Sequence, residues 1–175
     1  MWKARLPMIL LAVVLVTIVY QFATIKPEGA KMVEKQPAPE FTLKPDNGQP
    51  PFTKASLKGK VVILDFWATW CGPCRDSIPE LAALYTKYKD QGLEIIGISM
   101  DDKNTRASVP AAMKSFGINY PVVYAYDNVD IVKDYPSEAI PMMYILDKAG
   151  NLRDKMTGYR PGINWDEKIE ALINE

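Results

Sequence analysis

The sequence predicts an α/β fold in which helices pack on a central β-sheet. Val61–Trp67 is an almost continuous apolar run, which is typical of a strand buried on both faces, as in a parallel sheet between helices. After Cys74, apolar residues recur every three or four positions, as on one face of a helix. Leu93–Ser99 is a second apolar run, and a second helical pattern follows it over residues 107–116. Strands that alternate with helices in this way indicate the α/β class.

Turn and capping signals predict the shorter elements around this framework. Residues 41–43 and Phe52–Thr53 flank the hairpin-type turn Asp46-Asn47-Gly48, and two prolines after the turn place these strands at an edge, as an N-terminal hairpin extension. Asn164 and Glu167 have the spacing of a capping box, which predicts where the last helix begins. Three further strands are predicted over residues 120–124, Met142–Leu146 and residues 152–157.

The N-terminal segment has a different character. Lys3 and Arg5 precede residues 6–23, about 18 residues without a charge, which as a helix would span roughly 27 Å, close to the ~30 Å of a bilayer core. The run exceeds the usual apolar core of a signal peptide, and no small-x-small cleavage site stands out after it. We therefore predict a transmembrane signal anchor, with a cleaved signal peptide as the alternative.

The domain organisation follows from this anchor. We predict the anchor over residues 1–25, a proline- and glycine-containing linker over 26–36, and one globular domain over 37–175. Positive charge ahead of the span places the N-terminus in the cytoplasm. The domain is therefore expected on the periplasmic, or extracytoplasmic, side of the cytoplasmic (inner) membrane.

The chemistry of the chain is expected at its only two cysteines, Cys71 and Cys74. They lie where the first long strand turns into a helix, and the unpaired N–H groups and dipole of a helix N-terminus stabilise a thiolate, the species that attacks disulfides. Pro73 suits the first helical turn. A spacing of three residues lets the two sulfurs form a reversible disulfide. We expect Cys71, ahead of the helix, to be the exposed attacker and Cys74 to be shielded and to resolve the mixed disulfide.

Other uses of the cysteine pair, and other ligand classes, are disfavoured. A zinc site needs about four N or S ligands, and the chain has no histidine and no third cysteine, which leaves only a metal shared between two chains. An inert structural disulfide would not explain a Trp-Cys-Gly-Pro-Cys setting at a helix start. Haem attachment is excluded because Arg75 follows Cys74. Equal numbers of acidic and basic residues, 21 each, give no electrostatic case for nucleic acid binding.

A family resemblance supports the redox interpretation. Trp70-Cys71-Gly72-Pro73-Cys74 is the active-site motif of thioredoxin, and residues 66–71 resemble the membrane-anchored TlpA/ResA-like thiol–disulfide oxidoreductases. The similarity runs from about Pro37 to the C-terminus and includes residues 39–43, residues 57–62 and Ile140-Pro141 before a strand. It implies a thioredoxin-like fold with a central mixed sheet, and no cofactor or bound metal.

The resemblance also implies roles for individual residues. Asp65 is a carboxylate inside a buried strand, where its pKa is raised toward neutrality, and it matches the aspartate held in thioredoxin to take the proton of the second cysteine. Pro141 matches the cis-proline that faces the active site, and the Ile140 backbone is expected to pair with an extended substrate. Trp70, Gly72 and Pro73 complete the expected substrate cleft. ResA-like proteins typically have a non-acidic residue in place of Asp65 and a glutamate where this chain has Ser77, so its proton handling resembles that of thioredoxin.

The expected function is reduction of disulfides in client proteins, with apocytochrome c as the leading client class by resemblance. Reducing equivalents would come from a membrane electron donor of the DsbD/CcdA type. The alternatives are an oxidant or isomerase that inserts disulfides, and a non-catalytic anchored binding module or chaperone. Peroxidase action is a weaker alternative, because the nucleophilic cysteine of peroxiredoxins lacks the Cys-Gly-Pro-Cys setting.

Overall fold

The computed structural model describes Val14, Thr17 and residues 35–175. Residues 35–175 belong to one compact unit. Its strands are β1 (Gln36–Pro37), β2 (Thr42–Leu43), β3 (Phe52–Thr53), β4 (Val61–Trp67), β5 (Leu93–Ser99), β6 (Val122–Tyr124), β7 (Met142–Leu146) and β8 (Asn151–Thr157). Its α-helices are α1 (Gly72–Tyr88), α2 (Val109–Phe116), α3 (Val129–Asp134) and α4 (Trp165–Ile173).

Apart from Val14 and Thr17, the predicted transmembrane segment at residues 6–23 lies outside the described residues, and so does most of the predicted linker. In the part of the chain that the structure describes, no helix combines the length and the apolar character needed to cross a membrane.

Six strands form a mixed sheet in the order β1-β8-β7-β4-β5-β6, and β2 and β3 form a separate antiparallel hairpin. The central strand β4 runs parallel to β5 and antiparallel to β7. This is the thioredoxin-like α/β architecture that the resemblance implied, with the hairpin that the turn signal predicted.

The core lies on both faces of β4, and every residue of this strand is buried. Val61 and Ile63 pack with side chains of α1 and α4 on one face. Leu64 and Phe66 point to the opposite face, where they pack with Leu43 of the hairpin and with α3. The prediction that β4 is buried on both sides is therefore confirmed.

The observed boundaries differ from the predicted ones where local geometry is not visible in the apolar pattern. Helix α1 begins at Gly72, ahead of the apolar pattern that starts after Cys74, because Cys71 caps it and Pro73 occupies its first turn. Strand β1 was not predicted, because its residues have no alternation of apolar and polar side chains. Gln36 was assigned to the linker, yet it pairs with Leu152 of β8.

Candidate active site

The two cysteines form a disulfide at the N-terminus of α1. Cys71 is the N-cap residue, and its sulfur accepts a hydrogen bond from the backbone N–H of Cys74 at 3.2 Å. Cys74 is fully buried, as predicted, whereas Cys71 is 5 % exposed. The expectation of a freely exposed Cys71 is wrong for this oxidised form, because the sulfur is bonded to Cys74 and seated against the first helical turn. Of the two residues, only Cys71 retains contact with solvent.

Trp70 and Trp67 are placed as the sequence suggested. Trp70, next to Cys71, is 61 % exposed and is therefore available for contact with another molecule. Trp67 is fully buried and packs edge-to-face on Phe116, 6.1 Å between ring centroids. Its indole Nε1 is buried without a hydrogen-bond partner.

Ile140-Pro141 lies beside the cysteines. The peptide bond between the two residues is cis, as the resemblance implied. Ile140 is half-buried and packs against the apolar cluster that contains Cys71, Cys74 and Trp67. Gly72 and Pro73 are exposed at the start of α1. Four residues of the predicted cleft are therefore close to the cysteines. Gly72 and Pro73 lie between the two cysteines, and Trp70 directly precedes Cys71. Ile140 packs against the apolar cluster that contains both cysteines.

Asp65 is fully buried in the middle of β4. Its register neighbours are Gly97 on β5 and Met143 on β7. Oδ2 accepts a hydrogen bond from the Tyr120 hydroxyl at 3.1 Å, whereas Oδ1 has no hydrogen-bond partner. Burial raises the pKa of Asp65 from its ordinary 3.8 to about 7, against the lowering effect of the hydrogen bond from Tyr120. A carboxyl with this pKa exchanges protons near neutral pH.

Asp101 anchors the turn that leads into the cysteines, a role that the sequence did not reveal. Its carboxylate is 1 % exposed and accepts three hydrogen bonds: from the Thr69 backbone N–H at 3.0 Å, the Thr69 hydroxyl at 2.6 Å and the Ser99 hydroxyl at 2.9 Å. Because Thr69 directly precedes Trp70 and Cys71, Asp101 ties the end of β5 to the active-site turn.

Replacing Asp101 with alanine should destabilise the protein. The change removes the buried carboxylate that accepts from the Thr69 N–H, the Thr69 hydroxyl and the Ser99 hydroxyl. We expect the loss of these hydrogen bonds to lower the free energy of unfolding by about 2 kcal/mol. Urea unfolding followed by fluorescence measures this. The control is Asp76→Ala, which removes an exposed carboxylate on α1. Equal losses in both variants would contradict the anchoring role of Asp101.

Comparison with known proteins shows the family of the chain. Residues 35–155 match the AhpC/TSA family. The chain belongs to that family. It is also 34 % identical over 125 residues to the thiol–disulfide oxidoreductase ResA of Bacillus subtilis, an alignment that covers 71 % of this chain and 68 % of the relative. Together with the Cys71–Cys74 pair, this makes the chain a thioredoxin-like thiol–disulfide oxidoreductase.

Solved structures of related proteins have the same fold. A putative thiol:disulfide interchange protein DsbE from Chlorobium tepidum superposes with a TM-score of 0.70 at 25 % identity, covering 81 % of this chain and 99 % of that one. A putative protein disulfide isomerase from Bacteroides thetaiotaomicron gives a TM-score of 0.70 at 30 % identity, covering 80 % and 89 % of the two chains. The names of these relatives all refer to thiol–disulfide chemistry.

Proposed function

We propose that this oxidoreductase reduces disulfides in client proteins on the outer side of the cytoplasmic membrane. The observation that carries the proposal is the Cys-Gly-Pro-Cys pair at the start of α1, which follows the strand that holds the buried carboxyl of Asp65, a group whose pKa is about 7. The proposed location rests on the sequence alone: residues 6–23 are apolar enough for a single-pass anchor, with the N-terminus in the cytoplasm.

The reaction begins with the reduced enzyme. The Cys71 thiolate attacks one sulfur of the client disulfide, and the other client sulfur leaves as a thiolate and takes a proton. This gives a mixed disulfide between Cys71 and the client. Cys74 then loses its proton and attacks the Cys71 sulfur, which releases the second client thiol. Two electrons pass from the enzyme dithiol to the client, and the enzyme is left with the Cys71–Cys74 disulfide seen in the structure.

Asp65 is the proposed acceptor of the Cys74 proton. Cys74 is fully buried, so water cannot remove its proton freely. Asp65 is on the strand that leads directly into the cysteine turn, and its Oδ1 is free of hydrogen bonds. A base with a pKa near the working pH is suited to take the proton and to return it when the disulfide is reduced again.

The substrate cleft is proposed to lie around the exposed start of α1. The backbone at Ile140-Pro141 would hydrogen-bond an extended client segment, as in strand addition. Trp70 supplies an exposed apolar surface next to Cys71. Gly72 and Pro73 are exposed and carry no bulky polar group that would hinder approach to the Cys71 sulfur.

The direction of exchange is inferred from the dipeptide between the cysteines. Gly-Pro is the dipeptide of thioredoxin, with a potential of about −270 mV, compared with about −120 mV for the strong oxidant DsbA. For two electrons that difference is roughly 7 kcal/mol. A reductase is therefore favoured, with a membrane electron carrier of the DsbD/CcdA type as donor and apocytochrome c as the leading client class.

Insertion or isomerisation of disulfides is the second candidate function. The similarity to the Bacteroides protein described as a putative disulfide isomerase favours it. The same cysteines would serve, with the Cys71–Cys74 disulfide as the starting form.

Trapping with a Cys74→Ser variant tests the proposed function. The reduced variant, mixed with an oxidised peptide that contains Cys-x-x-Cys-His, should accumulate a mixed disulfide through Cys71, because the resolving thiol is missing. Mass spectrometry of the intact protein detects the adduct. The control, Cys71→Ser combined with Cys74→Ser, should give none. Failure of Cys74→Ser to form the adduct, while reduced wild-type protein is also inert toward the peptide, would contradict the proposal.

A further inference from the structure

Tyr120 reaches Asp65 because the neighbouring strand has no side chain at that point. Gly97 is the residue of β5 in register with Asp65. A Cβ atom on Gly97 would lie 3.1 Å from Trp67 Nε1 and 3.2 Å from Tyr120 Cε2. These separations are shorter than ordinary van der Waals contact. Glycine at this position therefore leaves the space that the tyrosine ring and the indole occupy beside the carboxyl.

The segment that carries Tyr120 is fixed to the sheet. The next residue, Pro121, accepts a hydrogen bond at its carbonyl from the Gly97 N–H at 2.8 Å. The Tyr120 ring packs edge-to-face on Tyr85 of α1, 6.1 Å between centroids, and the residue is only 3 % exposed. The hydroxyl is thus held by its backbone and its ring in the position from which it donates to Asp65 at 3.1 Å.

The surroundings of Asp65 are almost free of charge. Its register neighbours on β7 and β5 are Met143 and Gly97, and neither carries a charge. Glu94 pairs with Lys60 at 2.6 Å and accepts a hydrogen bond from the Tyr85 hydroxyl, and neither charge of this pair influences the pKa of Asp65. Burial and the Tyr120 hydrogen bond are accordingly the two influences on the pKa of Asp65.

We propose that Tyr120 is a positioning residue for proton transfer, which holds Oδ2 of Asp65 so that Oδ1 exchanges the proton with Cys74. The inference rests on the proposed role of Asp65 as acceptor of that proton. When Cys74 attacks the Cys71 sulfur, its proton passes to Oδ1 of Asp65. When the enzyme disulfide is reduced again, Cys74 leaves as a thiolate and recovers the proton.

A tyrosine hydroxyl suits this task because it stays neutral throughout. Burial and the adjacent carboxyl raise the pKa of Tyr120 well above its ordinary value, so the hydroxyl remains a donor across the working pH range. A hydrogen bond from a neutral donor stabilises the carboxylate form of Asp65. It does so without bringing a positive charge next to the cysteines, where a charge would also alter the acidity of their thiols.

The test is the pH dependence of oxidation of the reduced full chain by excess oxidised glutathione, for wild type and for Tyr120→Phe. Without the hydroxyl, Asp65 should bind its proton more tightly. The inflection that Asp65 produces in the plot of oxidation rate against pH should therefore move up by about one pH unit. The rate at pH 7 should fall up to about tenfold and recover at higher pH. Tyr85→Phe is the matched control, because Tyr85 contacts Tyr120 but donates to Glu94, and it should leave the inflection in place.

Asp65→Asn shows which part of the profile belongs to Asp65. The inflection should disappear in this variant, and Asp65→Asn combined with Tyr120→Phe should show no further change. If Asp65→Asn keeps the wild-type profile, the proton-accepting role of Asp65 fails and this inference fails with it. If Asp65→Asn removes the inflection but Tyr120→Phe leaves it at the wild-type pH, only the inference about Tyr120 is overturned.

A direct titration keeps the test independent of turnover. The carboxyl carbon of Asp65, followed by carbon-13 NMR in the reduced protein, should titrate at higher pH in Tyr120→Phe than in wild type. A loss of stability in Tyr120→Phe without any movement of this titration would mean that Tyr120 only fills space, and would overturn the proposal.

Discussion

Replacing Asp65 with asparagine should stabilise the oxidised protein at pH 8. Asp65 in the folded protein has a pKa of about 7, compared with 3.8 ordinarily. Between these values the folded state holds a proton that the unfolded state has lost, so the stability of the wild type falls as the pH rises from about 4 to 7 and is then constant. A shift of this size corresponds to about 4 kcal/mol. Asparagine has nearly the same shape as aspartate and no charge, so the variant does not lose stability in this way as the pH rises.

Chemical denaturation of the oxidised proteins at a series of pH values measures the effect. The difference in free energy of unfolding between Asp65→Asn and wild type should grow from pH 4 to pH 7 and stay constant above pH 7. Unpaired amide hydrogens cost about 1–3 kcal/mol, so the net gain at pH 8 is expected to be about 1–3 kcal/mol. Asp76→Asn, which removes an exposed carboxylate, controls for the change in net charge. A difference that is the same at every pH would contradict a buried carboxyl with a raised pKa.

Replacing Cys71 with serine should abolish catalysis of thiol–disulfide exchange. A hydroxyl forms no mixed disulfide, so reduction of a disulfide peptide by dithiothreitol should proceed at the rate without enzyme, a loss on the order of 100-fold or more. The assay follows the free thiol released from the peptide over time. The exposed Trp70 is adjacent, and the serine variant is expected to retain the cleft around it.

This variant also separates an enzyme from a binding module. If the anchored domain acted as a chaperone through its cleft alone, Cys71→Ser would keep the activity of the wild type in cells that depend on the protein. Cys74→Ser is the matched control, because it retains the attacking thiol and should still give one rapid release of client thiol per enzyme. Full activity of Cys71→Ser would contradict the proposed reaction.

The sequence predicted the framework of the fold because its signals are strong and local. Val61–Trp67 is apolar throughout, and a strand with this pattern has to be covered on both faces. Asn164 and Glu167 predicted the start of α4, where the Asn164 side chain accepts from the Glu167 N–H. The position of Asp65 within a buried strand was sufficient to predict a perturbed carboxyl, and the structure adds the cause.

The residues that surround the site were less accessible to prediction. Tyr120 donates a hydrogen bond to Asp65, 55 positions earlier in the chain, and Asp101 accepts one from Thr69, 32 positions earlier. Nothing local in the sequence indicates a hydrogen bond over such a separation. Gly97 is significant only because β5 is in register with β4 at Asp65. Register between distant strands depends on tertiary packing, so these three positions could be identified only from the folded chain.

The reduction potential of the Cys71–Cys74 pair tests the central claim most directly. The full chain is equilibrated against dithiothreitol or glutathione buffers of known ratio, and the fraction of free thiols is determined by alkylation and mass spectrometry. A disulfide reductase with a Gly-Pro dipeptide should have a reduction potential of about −250 mV or below. A value above about −180 mV would contradict the reductase assignment and place the protein among the enzymes that insert disulfides.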